Sequence, residues 1–219
     1  MITFEQIRNH EEIRTYIAKG NENLGVLGFT EHSTGHAMKA AQTAAMILTE
    51  LGYDEREAEL AQIAGFMHDI GNCINRTDHA HSGGIIAMQI LRDMGMAPKE
   101  IAVIAAAIGN HDEKTGTAVD AVSAALILAD KTDVRRNRVR GRDRTKFDIH
   151  DRVNFAAISS ELSVDREAKV ITLSIELDDT ICSVLDYFEI FLERMVMCRR
   201  AAEMLGCTFK MRANGAKVL

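Results

Sequence analysis

Apolar positions at three- and four-residue spacing dominate the chain up to about residue 133, and short alternating runs follow after about 150. Phe4, Ile7, Ile13 and Ile17 mark an amphipathic helix over 4–19. GNENLGVLGFTEHSTG (20–35), rich in Gly and Asn, reads as a connector. A long helix over about 36–51 closes at ELGYD, with Gly52 as its C-cap. Another runs from about 55 to 68 with a continuous apolar face and ends at His68-Asp69. GNCINRTD (71–78) reads as a polar loop, and helices follow near 80–94, 98–110 and 118–133.

After ADKTD the texture changes. Arg135, Arg136, Arg138, Arg140, Arg142, Arg144 and Lys146 crowd one stretch, 134–146. VNFAAISSELSV (153–164) and KVITLSIEL (169–177) read as two strands joined by a turn at DREA. The segment 178–206 reads as a long helix N-capped by Asp178 or Asp179, and the last residues as a strand. The expected fold is therefore mainly α: a helical bundle over 1–133, an Arg-rich connector over 134–150 and a small α+β unit (ββαβ) over 151–219. No internal repeat is visible.

Composition sharpens this picture in three ways. Hydrophobic residues make up 47% of the 219 positions and aromatics only 5%, with no Trp, so the core is aliphatic and the methionines are filler within it. A net charge of −6 argues against holding nucleic acid by bulk electrostatics. The four cysteines form no CxxC pair, the N-terminus has no apolar leader region, and no uninterrupted apolar run reaches about 18 residues. These features predict a cytoplasmic, reduced protein without a membrane segment.

The chemistry concentrates at AGFMHDIGN (64–72). An ionised Asp69 at the end of an apolar run costs several kcal/mol, of order, unless a partner compensates it. Six of the eight histidines (His32, His36, His68, His79, His81 and His111) lie between residues 32 and 111, most of them at predicted helix ends. His32 and His36 are spaced to share a helix face. Helix ends from one bundle can converge on a pocket, and imidazoles with carboxylates suit a divalent transition metal such as Fe, Mn, Co, Ni or Zn. Such an ion would compensate Asp69 and Asp130.

Three stretches, in order, carry a resemblance. His36 is followed by small or apolar residues four, eight and twelve positions on and then by Leu-Gly; GFM-His68-Asp69-IGN follows; ILA-Asp130-Lys131 closes the series. This resembles the HD-domain superfamily of metal-dependent phosphohydrolases over about residues 30–133. The resemblance implies a metal held by His36, His68, Asp69 and Asp130. His79 with Gly83, and His111 in NHDE, resemble the additional histidines of multi-metal branches. They imply one or two metals per chain, with Asp69 bridging and His79 and His111 on the second. Asn72 stands where the HD-GYP type carries Lys, and EKTGTAVD stands in place of a GYP tripeptide, so cyclic-di-GMP hydrolysis is not favoured.

The resemblance further implies hydrolysis of a small-molecule phosphate ester, a nucleotide or relative, by metal-activated water. Asp69, His111 and Lys131 are the expected catalytic groups, and Arg76, His32, Asn72 and Arg135 the expected substrate contacts. The Arg run is either a solvated segment or a phosphate-attracting rim. His10, His81 and His150 are given no role. The alternatives are a non-catalytic HD-fold nucleotide-binding or regulatory protein and, further off, a di-iron oxygenase. A homodimer could form through an edge strand such as KVITLSIEL.

Overall fold

Two helices, not one, carry the N-terminal apolar face. In the computed structural model, which describes residues 1–140 and 149–218, α1 (Phe4–Asn9) and α2 (Glu11–Val26) meet at His10, whose extended backbone breaks the helix. α2 takes in the first part of the expected connector. Its Gly20 serves close approach: a Cβ there would lie 3.1 Å from both Asn72 Cβ and Cys73 N. The helical path ends near Gly28, which has a positive φ.

α3 (Thr34–Leu51) starts at Ser33, whose hydroxyl accepts from Gly35 N, and stops at the left-handed Gly52. α4 (Glu55–Met67) is capped by Asp54. Residues 70–73 form a buried 3-10 turn rather than an exposed loop, with Asn72 only 2% accessible. α5 (His79–Asp93), α6 (Pro98–Gly109) and α7 (Ala121–Lys131) follow; Pro98 opens α6, and an Asp120/Ser123 capping box opens α7. α7 is apolar nearly all round over 121–129 because other elements cover most of its surface, whereas α4 is apolar mainly in its second half.

The C-terminal segment departs from expectation at its start. Residues 153–156 are helical, within α8 (Ile149–Ala156), and β1 (Ala157–Asp165) begins only afterwards. β2 (Val170–Leu177), α9 (Val184–Met204), β3 (Thr208–Ala213) and the short β4 (Ala216–Lys217) complete a ββαββ unit. α9 starts at Ser183, not at Asp178 or Asp179: Ser183 Oγ accepts from Asp186 N while Asp186 Oδ2 accepts from Ser183 N. The sheet order is β1-β2-β3-β4, antiparallel except for the β2/β3 pair, which needs the α9 crossover because it is parallel. KVITLSIEL is thus an interior strand with both sides paired, and offers no free edge.

Ile171, Leu173 and Ile175 of β2 and Phe209 and Met211 of β3 belong to the same apolar core as α3, α4 and α7. The connector is a strap in its described part. Arg138 donates to Glu31 O and Asp133 O, and Arg140 donates to Phe29 O and Asn21 O, tying residues 21–31 down. Arg142, Arg144 and Lys146 lie outside the described residues. Among the described residues no helix is long and apolar enough to cross a membrane.

Candidate metal centre

Helix ends bring the site together. His36 lies in the first turn of α3, His68 caps the C-terminus of α4 with Asp69 beside it, His79 opens α5, His111 follows α6 and Asp130 ends α7. His36, His68, His79 and His111 are at most 3% accessible. Each imidazole has its Nδ1 against an oxygen. His68 Nδ1 is 2.8 Å from Gly65 O, His79 Nδ1 3.1 Å from Arg76 O and His111 Nδ1 2.6 Å from Ile108 O. His32 Nδ1 is 2.8 Å from Thr30 O, and His36 Nδ1 2.7 Å from Asp133 Oδ2. Acceptors at Nδ1 place the ring proton there and turn the Nε2 lone pair inward, the arrangement that orients histidine for a metal.

The inward atoms form two adjoining groups. In the first, His36 Nε2 and His68 Nε2 are 3.2 Å apart, and Asp130 Oδ1 lies 3.3 and 3.6 Å from them. Asp69 Oδ2 lies 3.1 Å from His68 Nε2 and 3.6 Å from His36 Nε2. Ligands about 2.0–2.2 Å from one ion stand about 3.0–3.5 Å from each other, so these edges fit a single cation. Asp69 Oδ2 is also buried without a hydrogen-bond partner among the described residues. A buried carboxylate oxygen left this way is costly, and a cation among these four atoms removes the cost. The residues fit a divalent metal.

In the second group, His79 Nε2 and His111 Nε2 are 3.2 Å apart, and the other Asp69 oxygen, Oδ1, lies 3.6 and 4.0 Å from them. Asp69 therefore presents one oxygen to each group. His68, Asp69 and His111 also come close enough to share an ion. Arg76 intrudes here: its Nη1 is 3.3 Å from His79 Nε2 and 3.9 Å from Asp69 Oδ1.

The electrostatics demand positive charge at the first group. Burial opposes a charged His68, yet Asp69 and Asp130 against it push it up to about 10. Burial likewise opposes ionised Asp69 and Asp130, but His68 beside the one and Lys131 beside the other hold both well below the usual carboxylate range. Burial drives His32 and His111 well below the ordinary histidine value, which leaves them neutral. Imidazole neutrality is what ligation requires.

A cavity of about 100 Å³ opens onto these groups. His32, Asp69, Arg76, His79, His111, Asp130 and Lys131 line it, as the sequence suggested. Asn72 and Arg135 do not. Asn72 Nδ2 donates to Asp69 O at 2.9 Å and to Asp69 Oδ1 at 2.8 Å, steadying the carboxylate from behind. Arg135 forks onto Asp133, with Nε 2.6 Å from Oδ1 and Nη2 2.9 Å from Oδ2. His81 is exposed on α5.

Sequence reasoning missed several groups. Asp133 supports His36 and was legible as a second acid three residues after Asp130. Glu113, Arg138, His150, Asn154 and Arg194 also line the cavity, the last three from α8 and α9, beyond the motif region. Glu113 belongs to the NHDE patch and Arg138 to the Arg run weighed as a phosphate-attracting rim, whereas nothing in the spacing of His150, Asn154 and Arg194 pointed there.

Over 164 residues the chain is 25% identical to Ribonuclease Y of Thermosipho melanesiensis, a match covering 73% of this chain and 31% of that protein. It is 26% identical over 149 residues to Ribonuclease Y of Desulforudis audaxviator, covering 66% and 28%. The chain thus spans under a third of the length of these curated relatives. A crystal structure of an HD superfamily hydrolase from an uncultured Thermotogales bacterium aligns at 25% identity and a TM-score of 0.46, covering 60% of this chain and 72% of that one. The model of the family described as HD domain matches residues 34–153, more than half of the chain and all of the stretch from His36 to Asp130, so the chain belongs to the HD-domain family.

Proposed function

We propose that this protein is a metal-dependent phosphohydrolase acting on a phosphate ester of a nucleotide or related small molecule. One observation carries the reading: imidazoles locked through Nδ1 aim Nε2 at two buried carboxylates, on the floor of a cavity lined by cationic side chains. Family membership supports a hydrolase in general; the residues support phosphate chemistry.

His36, His68, Asp69 and Asp130 would hold the ion, and His79 and His111 with Asp69 Oδ1 a second. Bound there, a divalent metal supplies Lewis acidity and lowers the pKa of water from 15.7 towards about 7, which makes hydroxide available at neutral pH. Asp69, fixed by Asn72, orients the attacking water. His32, 4.0 Å from Asp69 Oδ2 through Nε2 and held neutral, is placed to accept a proton from it. Lys131 and Arg76 face the cavity and stabilise charge on the phosphoryl oxygens. The free thiols of Cys73, Cys182, Cys198 and Cys207 suit a reducing compartment such as the cytoplasm.

Elemental mass spectrometry on purified wild type, Asp69→Ala and His79→Ala, beside turnover of small phosphate esters with Mn or Fe added, tests this. We expect metal and turnover to be lost in Asp69→Ala with circular dichroism unchanged, and one metal to be lost in His79→Ala. Turnover that persists with the metal gone would sink the mechanism. Metal binding without any turnover would favour a binding or regulatory HD protein. The name of the curated relatives raises RNA as a second substrate, but their match covers a small part of them and the charge of −6 opposes a polyanion.

A further inference from the structure

Beyond the strand weighed for a homodimer, the C-terminal unit had no assigned role, yet Asn154 of α8 and Arg194 of α9 reach the metal cavity. Arg194 of α9 lines the cavity together with Lys131 and Arg138, and shares the Glu113 carboxylate with Lys131. α9 contains neither Pro nor Gly, but its helical path breaks at Phe191 (φ −111°, ψ 15°). Since no local helix breaker explains that break, tertiary packing must impose it. Three residues on, the Arg194 guanidinium lies over the Phe191 ring, 4.2 Å from its centroid. That contact holds the guanidinium at the ring face before any ligand arrives.

Arg194 is incompletely satisfied where it sits. Its Nε is 2.7 Å from Glu113 Oε1, but the N–H is not aligned with that oxygen, and among the described residues the buried nitrogen has no hydrogen-bond partner. Among the described residues neither of its terminal nitrogens has a hydrogen-bond partner. Arg138, tied through Nε and Nη1 to two backbone carbonyls, likewise has no hydrogen-bond partner for Nη2 among the described residues. The lining thus holds Arg76, Lys131, Arg138 and Arg194 against Asp69, Asp130 and Glu113: four cations to three carboxylates, in a chain of net charge −6. A metal adds two further charges. Like charges brought together away from water repel unless an anion sits among them.

From this geometry we infer that Arg194, with Arg138 and Lys131, forms a subsite for the dianionic phosphoryl group of a phosphomonoester, so that α9 selects monoesters over diesters. The inference rests on the hydrolase reading above and names its substrate class. Two features select the monoester. A diester carries one charge fewer, and its phosphorus bears two substituents that both need a way out. The cavity, about 100 Å³, is well below the roughly 300–1,000 Å³ of a pocket that encloses a whole ligand. It therefore takes the phosphoryl group and leaves the organic portion at the mouth, where Phe29 is 40% exposed.

Two measurements on the full chain loaded with Mn test this. In the first, inorganic phosphate is titrated calorimetrically into wild type, Arg194→Ala and Arg194→Lys, with metal content and thermal melting checked in each. Charge-assisted bonds to phosphate predict binding about 10–100-fold weaker in Arg194→Ala, partly recovered in Arg194→Lys, with metal content unchanged. Equal affinity in wild type and Arg194→Ala overturns the subsite, as does wild type that binds no phosphate. The Lys variant keeps the test decisive if the Ala variant fails to fold.

In the second measurement, p-nitrophenyl phosphate is compared with bis(p-nitrophenyl) phosphate. We expect the monoester to be preferred, with Arg194→Ala raising its KM more than it lowers kcat; preference for the diester overturns the assignment. Arg194-dependent phosphate binding without turnover of either ester would sink the hydrolase reading and leave the phosphate subsite standing.

Discussion

Asp133 shows how far the site depends on a side chain that no ion would touch. Its buried carboxylate accepts hydrogen bonds from His36 Nδ1 and from the Arg135 fork together, and His36 and Arg135 hold it far below the usual carboxylate range despite burial. Loss of such an outer partner lowers metal affinity by about 10–100-fold in comparable sites. Asp133→Asn should do the same here with secondary structure intact, read as the midpoint of a metal titration; unchanged affinity would mean that His36 is not positioned through Nδ1. At this scale the ligand candidates were legible because His36, His68-Asp69 and Asp130 stand in the order and flanking pattern of the HD-domain motifs. Direction was not legible. Asn72 and Arg135 have the right chemistry for a substrate, but the backbone turns them towards Asp69 and Asp133 instead. Arg194 was invisible because a fold contact, not a spacing, brings α9 to the cavity.

At the scale of elements, the position of His68 follows from how closely α4 lies on α3. A Cβ added at Gly65 would stand 2.8 Å from both Ala41 Cα and Ala41 N, so the helices touch backbone to backbone there. The carbonyl of the same Gly65 holds His68 Nδ1. Gly65→Ala should therefore cost about 1–3 kcal/mol in denaturant melts, from overpacking, and weaken metal binding as well. Destabilisation without the metal effect would separate the two roles of Gly65.

A second joint, between α4 and α6, is electrostatic. Arg56 Nε and Nη2 each lie 2.7 Å from one oxygen of Glu100, and this bidentate pair holds the Glu100 carboxyl below its ordinary value. A carboxyl depressed on folding adds stability above its unfolded pKa of about 4.3, and that stability is lost as pH falls through the lower folded value. Glu100→Gln should thus be less stable than wild type by about 1 kcal/mol at pH 7, a modest figure because solvent screens the pair. The gap should begin to narrow as pH falls below about 4.3 and close once it passes the lower folded value; a gap independent of pH would assign the loss to packing. Neither joint was readable from the chain. Periodicity located α3, α4 and α6 closely, whereas the glycines of α2 were mistaken for a connector and Val153–Ala156 for strand, since short apolar runs fit both periods.

For the whole molecule, the expected boundary between a helical domain and an appended unit meets a continuous apolar core. β2, β3 and α9 share that core with α3, α4 and α7, and α9 closes the cavity over ligands that the bundle supplies. An ion bound at those ligands should therefore stabilise both parts of the chain in one step. Without it, Asp69 and Asp130 face the same two imidazoles, and Asp69 Oδ2 has no hydrogen-bond partner among the described residues. A ligand that binds only the folded state adds about 2.7 kcal/mol when present at 100 times its Kd. For a domain of about 150–250 residues, each kcal/mol shifts Tm by about 2–4 °C, so saturating metal should raise Tm by about 5–11 °C and chelation should reverse the rise. Far-UV circular dichroism, which sees mainly the helices, and a fluorescent probe on the sheet should report the same midpoint before and after loading. A helical transition that moves while the sheet stays put would show that the C-terminal unit folds independently of the site it covers, and would remove the physical basis for giving α9 a part in choosing the substrate.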